Sequence, residues 1–267
     1  MAPESRPDDP GRIDVRVHAP AGTIVLNRPG RCNALSRQML NDLLQALDDL
    51  HLQNNVRAVI LTGAGAHFSS GLDLSEIRES AQTDTAMTTW YRDAQIWRDV
   101  VEKILRFPKP VIAAVNGPAL SAGAGLVLAA DLAIGCREAA IGLPEPQRGL
   151  VAGVASPLLV FRLGAAVASQ LLLTAQPMSA ERLYDLGLYH ELTQMEKIWA
   201  SAHALSQQIA QLAPGSLLLT KRLLNETIGE QLLTWLSVGA STSATARTTD
   251  SAAEGVAAFL EKRPPKW

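Results

Sequence analysis

The chain has few cysteines, no excess of either charge and no recurring metal-ligand spacing, and each lack excludes something. Its two cysteines, Cys32 and Cys136, are far apart in 267 residues and form no C-x-x-C pair. That leaves no disulfide framework and points to free thiols in a reducing, cytoplasmic setting. The 24 Lys and Arg against 26 Asp and Glu give a formal net charge of −2. A chain so balanced has no long-range attraction for a phosphate backbone, so no nucleic-acid partner is expected. The five histidines share no ligand spacing and none forms an H-E-x-x-H helix, so no metal is expected. The longest apolar runs are interrupted by Gly, Pro or charge, and no membrane partner is expected. There is no G-x-x-x-x-G-K-[ST] and no G-x-S-x-G. Gly63-Ala-Gly65 opens like a dinucleotide fingerprint but lacks its last glycine. His67 beside Ser69 and Ser70 is not a triad; those serines read as loop residues.

What is present reads as one packed α/β chain. Hydrophobic residues make up 47% and charged residues 19%, ordinary for a globular protein. Residues 1–11 are rich in Pro and charge, with no apolar stretch of a secretory signal, and read as a disordered lead-in. Thr23–Leu26 is a β-type run. Leu35, Met39, Leu43, Leu47 and Leu50 form the stripe of an amphipathic helix that follows cap residues at Asn33–Ser36. Val56–Thr62 is the clearest strand, and residues 84–106 read as a helix stopped by Phe107-Pro108-Lys109-Pro110. Val111–Val115 is a buried-type strand, Ala122–Ala130 a small-residue helix and Asp131–Ile134 another strand. Strands alternating with helices up to about residue 195 argue α/β architecture. The rest, 196–267, reads as a helical tail that packs on the first part or on a neighbouring subunit.

The chemistry lies in two small-residue loops, each after a strand. One is Gly63-Ala-Gly-Ala-His-Phe-Ser-Ser-Gly-Leu-Asp-Leu74. The other, Asn116-Gly-Pro-Ala-Leu-Ser-Ala-Gly-Ala-Gly125, opens a helix. Small residues admit a ligand close to the backbone, and a helix start presents unpaired N–H groups. Two such donors converging on one point make an oxyanion hole, although a tight turn is the commoner use of either loop.

In these segments the chain resembles the enoyl-CoA hydratase/isomerase (crotonase) family. The resemblance is carried by Leu26-Asn-Arg-Pro-Gly-Arg-Cys-Asn-Ala-Leu35, His67–Leu74, Lys109–Gly117, Ile141-Gly-Leu-Pro-Glu145 and the tail Glu254–Pro264, in the family's order. It implies a spiral of ββα repeats with a helical C-terminal region that forms trimers, in many members paired into hexamers. It implies a coenzyme A thioester as substrate, with no other cofactor. By resemblance the oxyanion-hole donors are the N–H groups of Leu72 and Ala122, and coenzyme A lies along Asn27–Cys32 (Arg31 and Cys32). Phe259 and Lys262 match tail positions that contact its adenine and phosphates.

The sequence departs from the family where hydratases carry two glutamates. One of those positions is Gly125 here; the other is Glu145. A further position that bears aspartate in some isomerases and hydrolases is Gly153. One carboxylate suits an isomerase-type proton shuttle, because moving a double bond needs one base, whereas adding water also needs a second group. Glu145, between Pro144 and Pro146 among apolar neighbours, is expected to have a raised pKa. Two other readings stand beside this one: a hydratase or lyase that recruits another group, and a catalytically silent acyl-CoA-binding homologue. Asp73 and Asp131 read as structural caps, and Trp90 and Trp97 as core or pocket wall.

Overall fold

The structure is a computed structural model describing residues 12–267, so the lead-in expected at 1–11 lies outside the described residues. Strands β1 (Arg12–His18) and β2 (Ala21–Asn27) form an antiparallel hairpin. The chain then runs in parallel order through β3 (Ala58–Gly63), β4 (Val111–Val115), β6 (Leu132–Cys136) and β8 (Glu191–Thr193). The resulting six-stranded sheet has the order β1-β2-β3-β4-β6-β8. β2, β3 and β4 are buried almost throughout, as a sheet covered on both faces requires. The sequence reading contains neither β1 nor β8. Both are sheet edges, where the apolar signal is diluted: β1 is mostly exposed and β8 is three residues long.

A second, smaller ladder stands beside the first. Leu35 bridges Leu72, Ser69 bridges Ala119, and β5 (Ala119–Leu120) pairs in parallel with β7 (Ile141–Gly142). β2, β3, β4 and β6 are therefore each followed by a short extended segment in this ladder and then by a helix. That is a spiral of ββα units, and it brings every strand-to-helix loop to one end of the fold.

The helices follow their local chemistry. α1 (Arg37–Leu52) starts where Ser36 accepts a hydrogen bond from Met39 N at 3.2 Å, satisfying one orphan donor. It ends where Lys109 Nζ donates to the carbonyls of Leu50, His51 and Gln53. α3 (Ala86–Arg106) buries Trp97, Val100, Val101 and Ile104 and stops before Pro108. α4 (Ala122–Ala129) is buried on all sides. Burying each of these large apolar side chains contributes roughly 1.5–3 kcal/mol.

α5 (Ala155–Thr174) is absent from the sequence reading, which expected no apolar run long enough to span a bilayer. By length and composition it could cross a bilayer. It carries Arg162, however, and breaks at Gly164, whose φ of 80° is non-helical, so neither half reaches the ~20 residues of a span. Beyond α6 (Ala180–Asp185), the tail comprises α7 (Ile198–Ala210), α8 (Pro214–Arg222), a π-helical turn at Leu223–Ile228, α9 (Glu230–Ala246) and α10 (Asp250–Leu260). α7 covers the outer sheet face, placing Ile198, Ala202 and Ile209 against Ile60, Ile112 and Ile134. α9 packs on α3 and α5, and α10 on the 3-10 turn Glu145–Arg148.

Candidate active site

The two loops are fixed in place by buried amides. Asn116 accepts from Gly63 N at 2.9 Å and donates to Gly65 O at 2.8 Å. Asn33 donates to Ala64 O and His67 O. Asp73, one residue beyond Leu72, caps α2 (Leu74–Ser80) by accepting from Ser75 N. Its other oxygen takes a 2.6 Å bond from buried Arg28. Burial drives the Asp73 pKa up, but the Arg28 bond and charge outweigh it and hold the group below the usual carboxylate range. The structural role expected for Asp73 is the one observed.

The hydrogen-bond pattern exposes the two N–H groups. In the bridge between Leu35 and Leu72, Leu35 N donates to Gly71 O, and Asp73 N donates to Leu35 O. In a parallel ladder the residue between those two partners turns its own N–H to the opposite side, so the Leu72 N–H is left free of this pairing. Ala122 is the first residue of α4, where the N–H has no intrahelical acceptor. The residues just before these two are in contact. A Cβ on Gly71 would lie 2.4 Å from Ser121 Cβ, so only glycine, here at φ 97°, lets the loops close. Ser121 is held at φ 54°, ψ −126°, a strained conformation for a residue with a side chain.

Leu72, Ala122 and Glu145 line one pocket with a cavity of about 50 Å³. Glu145 follows Pro144 at the start of the 3-10 turn and is only 7% exposed. Among the described residues it is the only carboxylate lining that pocket, and its Oε2 has no hydrogen-bond partner. Burial raises its pKa, opposed by a hydrogen bond from Ser121 and the charge of Arg148, in line with the expected direction. Arg148 forms no ion pair with it; its guanidinium sits 4.3 Å over the Phe259 ring.

The two empty carboxylate positions have physical occupants. A Cβ at Gly125 would meet Trp97 Cζ2 at 2.6 Å, so the indole fills the space a side chain there would need. A Cβ at Gly153 would meet Gly239 O at 2.0 Å, because α9 packs backbone to backbone at that point. Trp97 is thus pocket wall as well as core. Trp90 is core, donating its indole N–H to Ser80 Oγ.

The other expected residues are not among those lining the pocket. Arg31 ends a 3-10 turn and is exposed. Cys32 is half-buried, and its carbonyl accepts from Ser70 N in the first loop. Phe259 is half-exposed beside Arg148, while Lys262 is exposed at a positive φ past the end of α10. Arg247, Ser243 and Leu150–Ala155 also line the pocket. Arg247 and Ser243 escape the sequence reading because nothing local links the end of α9 to residues about 100 positions earlier.

The family description enoyl-CoA hydratase/isomerase matches residues 18–267. A Thermus thermophilus protein named "Putative enoyl-CoA hydratase" is 41% identical over 91% of this chain and 96% of its own length. The 1,2-epoxyphenylacetyl-CoA isomerase of Escherichia coli is 31% identical over 92% of this chain and 94% of its own. Among solved structures, an enoyl-CoA hydratase/isomerase from Xanthobacter autotrophicus Py2 superposes with a TM-score of 0.85 at 30% identity, covering 93% of each chain.

Proposed function

The chain belongs to the enoyl-CoA hydratase/isomerase family, and from that premise we propose that it moves a double bond along the acyl chain of an acyl-CoA thioester with Glu145 as the single proton shuttle. The Glu145 carboxylate takes a proton from C2 of a 3-enoyl thioester. The electron pair moves through the C1–C2 bond onto the thioester oxygen, where the N–H groups of Leu72 and Ala122 hold the negative charge. The oxygen pair then returns to the carbonyl, the C1–C2 π pair moves to form the C2–C3 double bond, and the C3–C4 π pair takes the proton from Glu145 at C4. Proton and electrons balance without a cofactor, since coenzyme A arrives as part of the substrate.

The observation that carries this reading is that Glu145 is the sole carboxylate among the described residues in the pocket, while Trp97 and the Gly239 carbonyl fill the other two places. A buried carboxyl with a raised pKa suits a group that must hold a proton between two carbons. Arg31, Cys32, Phe259 and Lys262 would take the coenzyme A moiety at the rim. The free thiols support a reducing, cytoplasmic compartment. Exposed Leu219, Leu223, Leu224, Trp235 and Val238 on the tail helices support a homotrimer or homohexamer.

The test is incubation with 3-enoyl-CoA and 2-enoyl-CoA thioesters, read by mass and by the absorbance of the conjugated thioester. Conjugation at unchanged mass is the expected result. Gain of water would replace the isomerase reading with a hydratase. Binding without any turnover would leave a silent acyl-CoA-binding protein.

A further inference from the structure

The pocket that holds Glu145 contains a cation that nothing in the isomerisation uses. Arg247, at the end of α9, lines it together with Trp97, Gly153 and Ser243. Its side chain is 5% exposed and its Nη1 has no hydrogen-bond partner. The nearest anion, Asp93 Oδ2, is 3.7 Å away, beyond hydrogen-bond distance. Asp93 is already engaged by Arg37, with bonds of 2.6 and 2.9 Å to its two oxygens. Glu76 serves Arg37 as well, accepting from its backbone N. Asp93 is thus shared between two guanidinium groups, and Arg247 holds the weaker share. Burial and the nearby Arg37 push the Arg247 pKa down, against the pull of Asp93, to about 10. It is still a cation at neutral pH.

A buried guanidinium with an unused donor destabilises the fold unless something compensates it. Here the unused donor belongs to a residue that lines the pocket. Apart from Glu145, Ser121 and Ser243, the remaining walls are apolar, among them Leu74, Ile77, Ala94 and Trp97. An alkyl chain would satisfy those walls and leave Arg247 with only its weaker share of Asp93. A chain ending in a carboxylate would satisfy both.

We propose that the substrate of this pocket is a short acyl-CoA whose acyl chain ends in a carboxylate, and that Arg247 is the residue that selects it. The proposal rests on the reading of this cavity as the acyl pocket. The cavity of about 50 Å³ would hold roughly three to five water-sized groups, which keeps the acyl chain short. A guanidinium and a carboxylate pair with two parallel hydrogen bonds. Asp93 would remain with Arg37, so the incoming carboxylate need not displace it.

The test measures binding, so it does not depend on turnover. Glutaryl-CoA and pentanoyl-CoA have five-carbon acyl groups and differ only at the chain end. Isothermal titration on the wild-type protein should give glutaryl-CoA a roughly tenfold to hundredfold tighter Kd, the range of a charge-assisted hydrogen bond. In Arg247→Met that ratio should shrink to near one, and Arg247→Lys should restore part of it. Equal affinities on the wild type, or tighter pentanoyl-CoA, would overturn the proposal even if the Arg247 variants fail to fold. A preference that survives Arg247→Met would overturn it too. Failure of both thioesters to bind would overturn this proposal along with the acyl-pocket reading, whereas binding of both with no preference would overturn this proposal alone.

Discussion

Glu145 is the residue on which the chemistry and a cost in stability coincide. Its folded-state pKa is raised by burial, so the native state holds its proton at pH values where the unfolded chain has lost it. The native state therefore loses stability as pH rises from the ordinary carboxylate value to the raised one. Glu145→Gln removes that penalty. Its melting temperature should exceed that of the wild type at pH 7, and the gain should vanish near pH 4, where both forms are uncharged; a gain that persists at pH 4 would point to another cause. The same substitution should lower turnover at least about 100-fold, the usual contribution of a positioned base. Wild-type kcat/KM should rise with pH, with an inflection above the ordinary carboxylate range, because the base form does the work. A profile flat between pH 4 and 8 would speak against Glu145 as that base.

At the scale of elements, helix contacts decide which acids the pocket can hold. Trp97 on α3 blocks the side-chain direction of Gly125 on α4. Gly125→Glu alone should therefore lower stability and give no hydration of 2-enoyl-CoA. Combined with Trp97→Leu, which vacates the space, it should produce measurable addition of water; hydration by the single variant would contradict the packing argument. The tail is tied to the sheet by another buried contact. Lys221 on α8 lies 2.6 Å from Asp131, which also accepts from Val111 N at the start of β4. Burial lowers the Lys221 pKa, against the pull of Asp131. Asp131→Ala would strand a buried ammonium group, and chemical denaturation should show a loss of about 3–5 kcal/mol.

At the scale of the molecule, the sheet is closed on its outer face by α7 and carries its loops at one end, so the tail is part of the same body as the strands. Apolar side chains are left exposed on the π-helical turn and α9, and none of them lines the pocket that Arg247 and Ser243 help to form. Sedimentation at micromolar concentration should give a trimer or hexamer, and a monomer would contradict that assembly.

How much the sequence shows depends on where the information lies along the chain. Strands β3 and β4, helices α1, α3 and α4, and the two glycine-rich loops are legible because their apolar period and their breakers are local. Leu72, Ala122 and Glu145 are reached through the family resemblance, since each sits in one of the short segments that carry it. β1, β8 and α5 are not legible: the first two are edges with diluted apolar patterns, and α5 is divided by a glycine whose φ of 80° no periodicity reveals. The sequence by itself determined the alternation of strands and helices in the first two-thirds, the two small-residue loops and the family resemblance that singles out Leu72, Ala122 and Glu145. Only the tertiary structure decided that an indole fills the place of the second acid, that Gly239 seals the third, and that Arg247 faces the same cavity. The physical reason is that steric exclusion and unpaired charge are properties of atoms brought together from about 30 to 100 residues apart, and no spacing along the chain encodes which of them will touch.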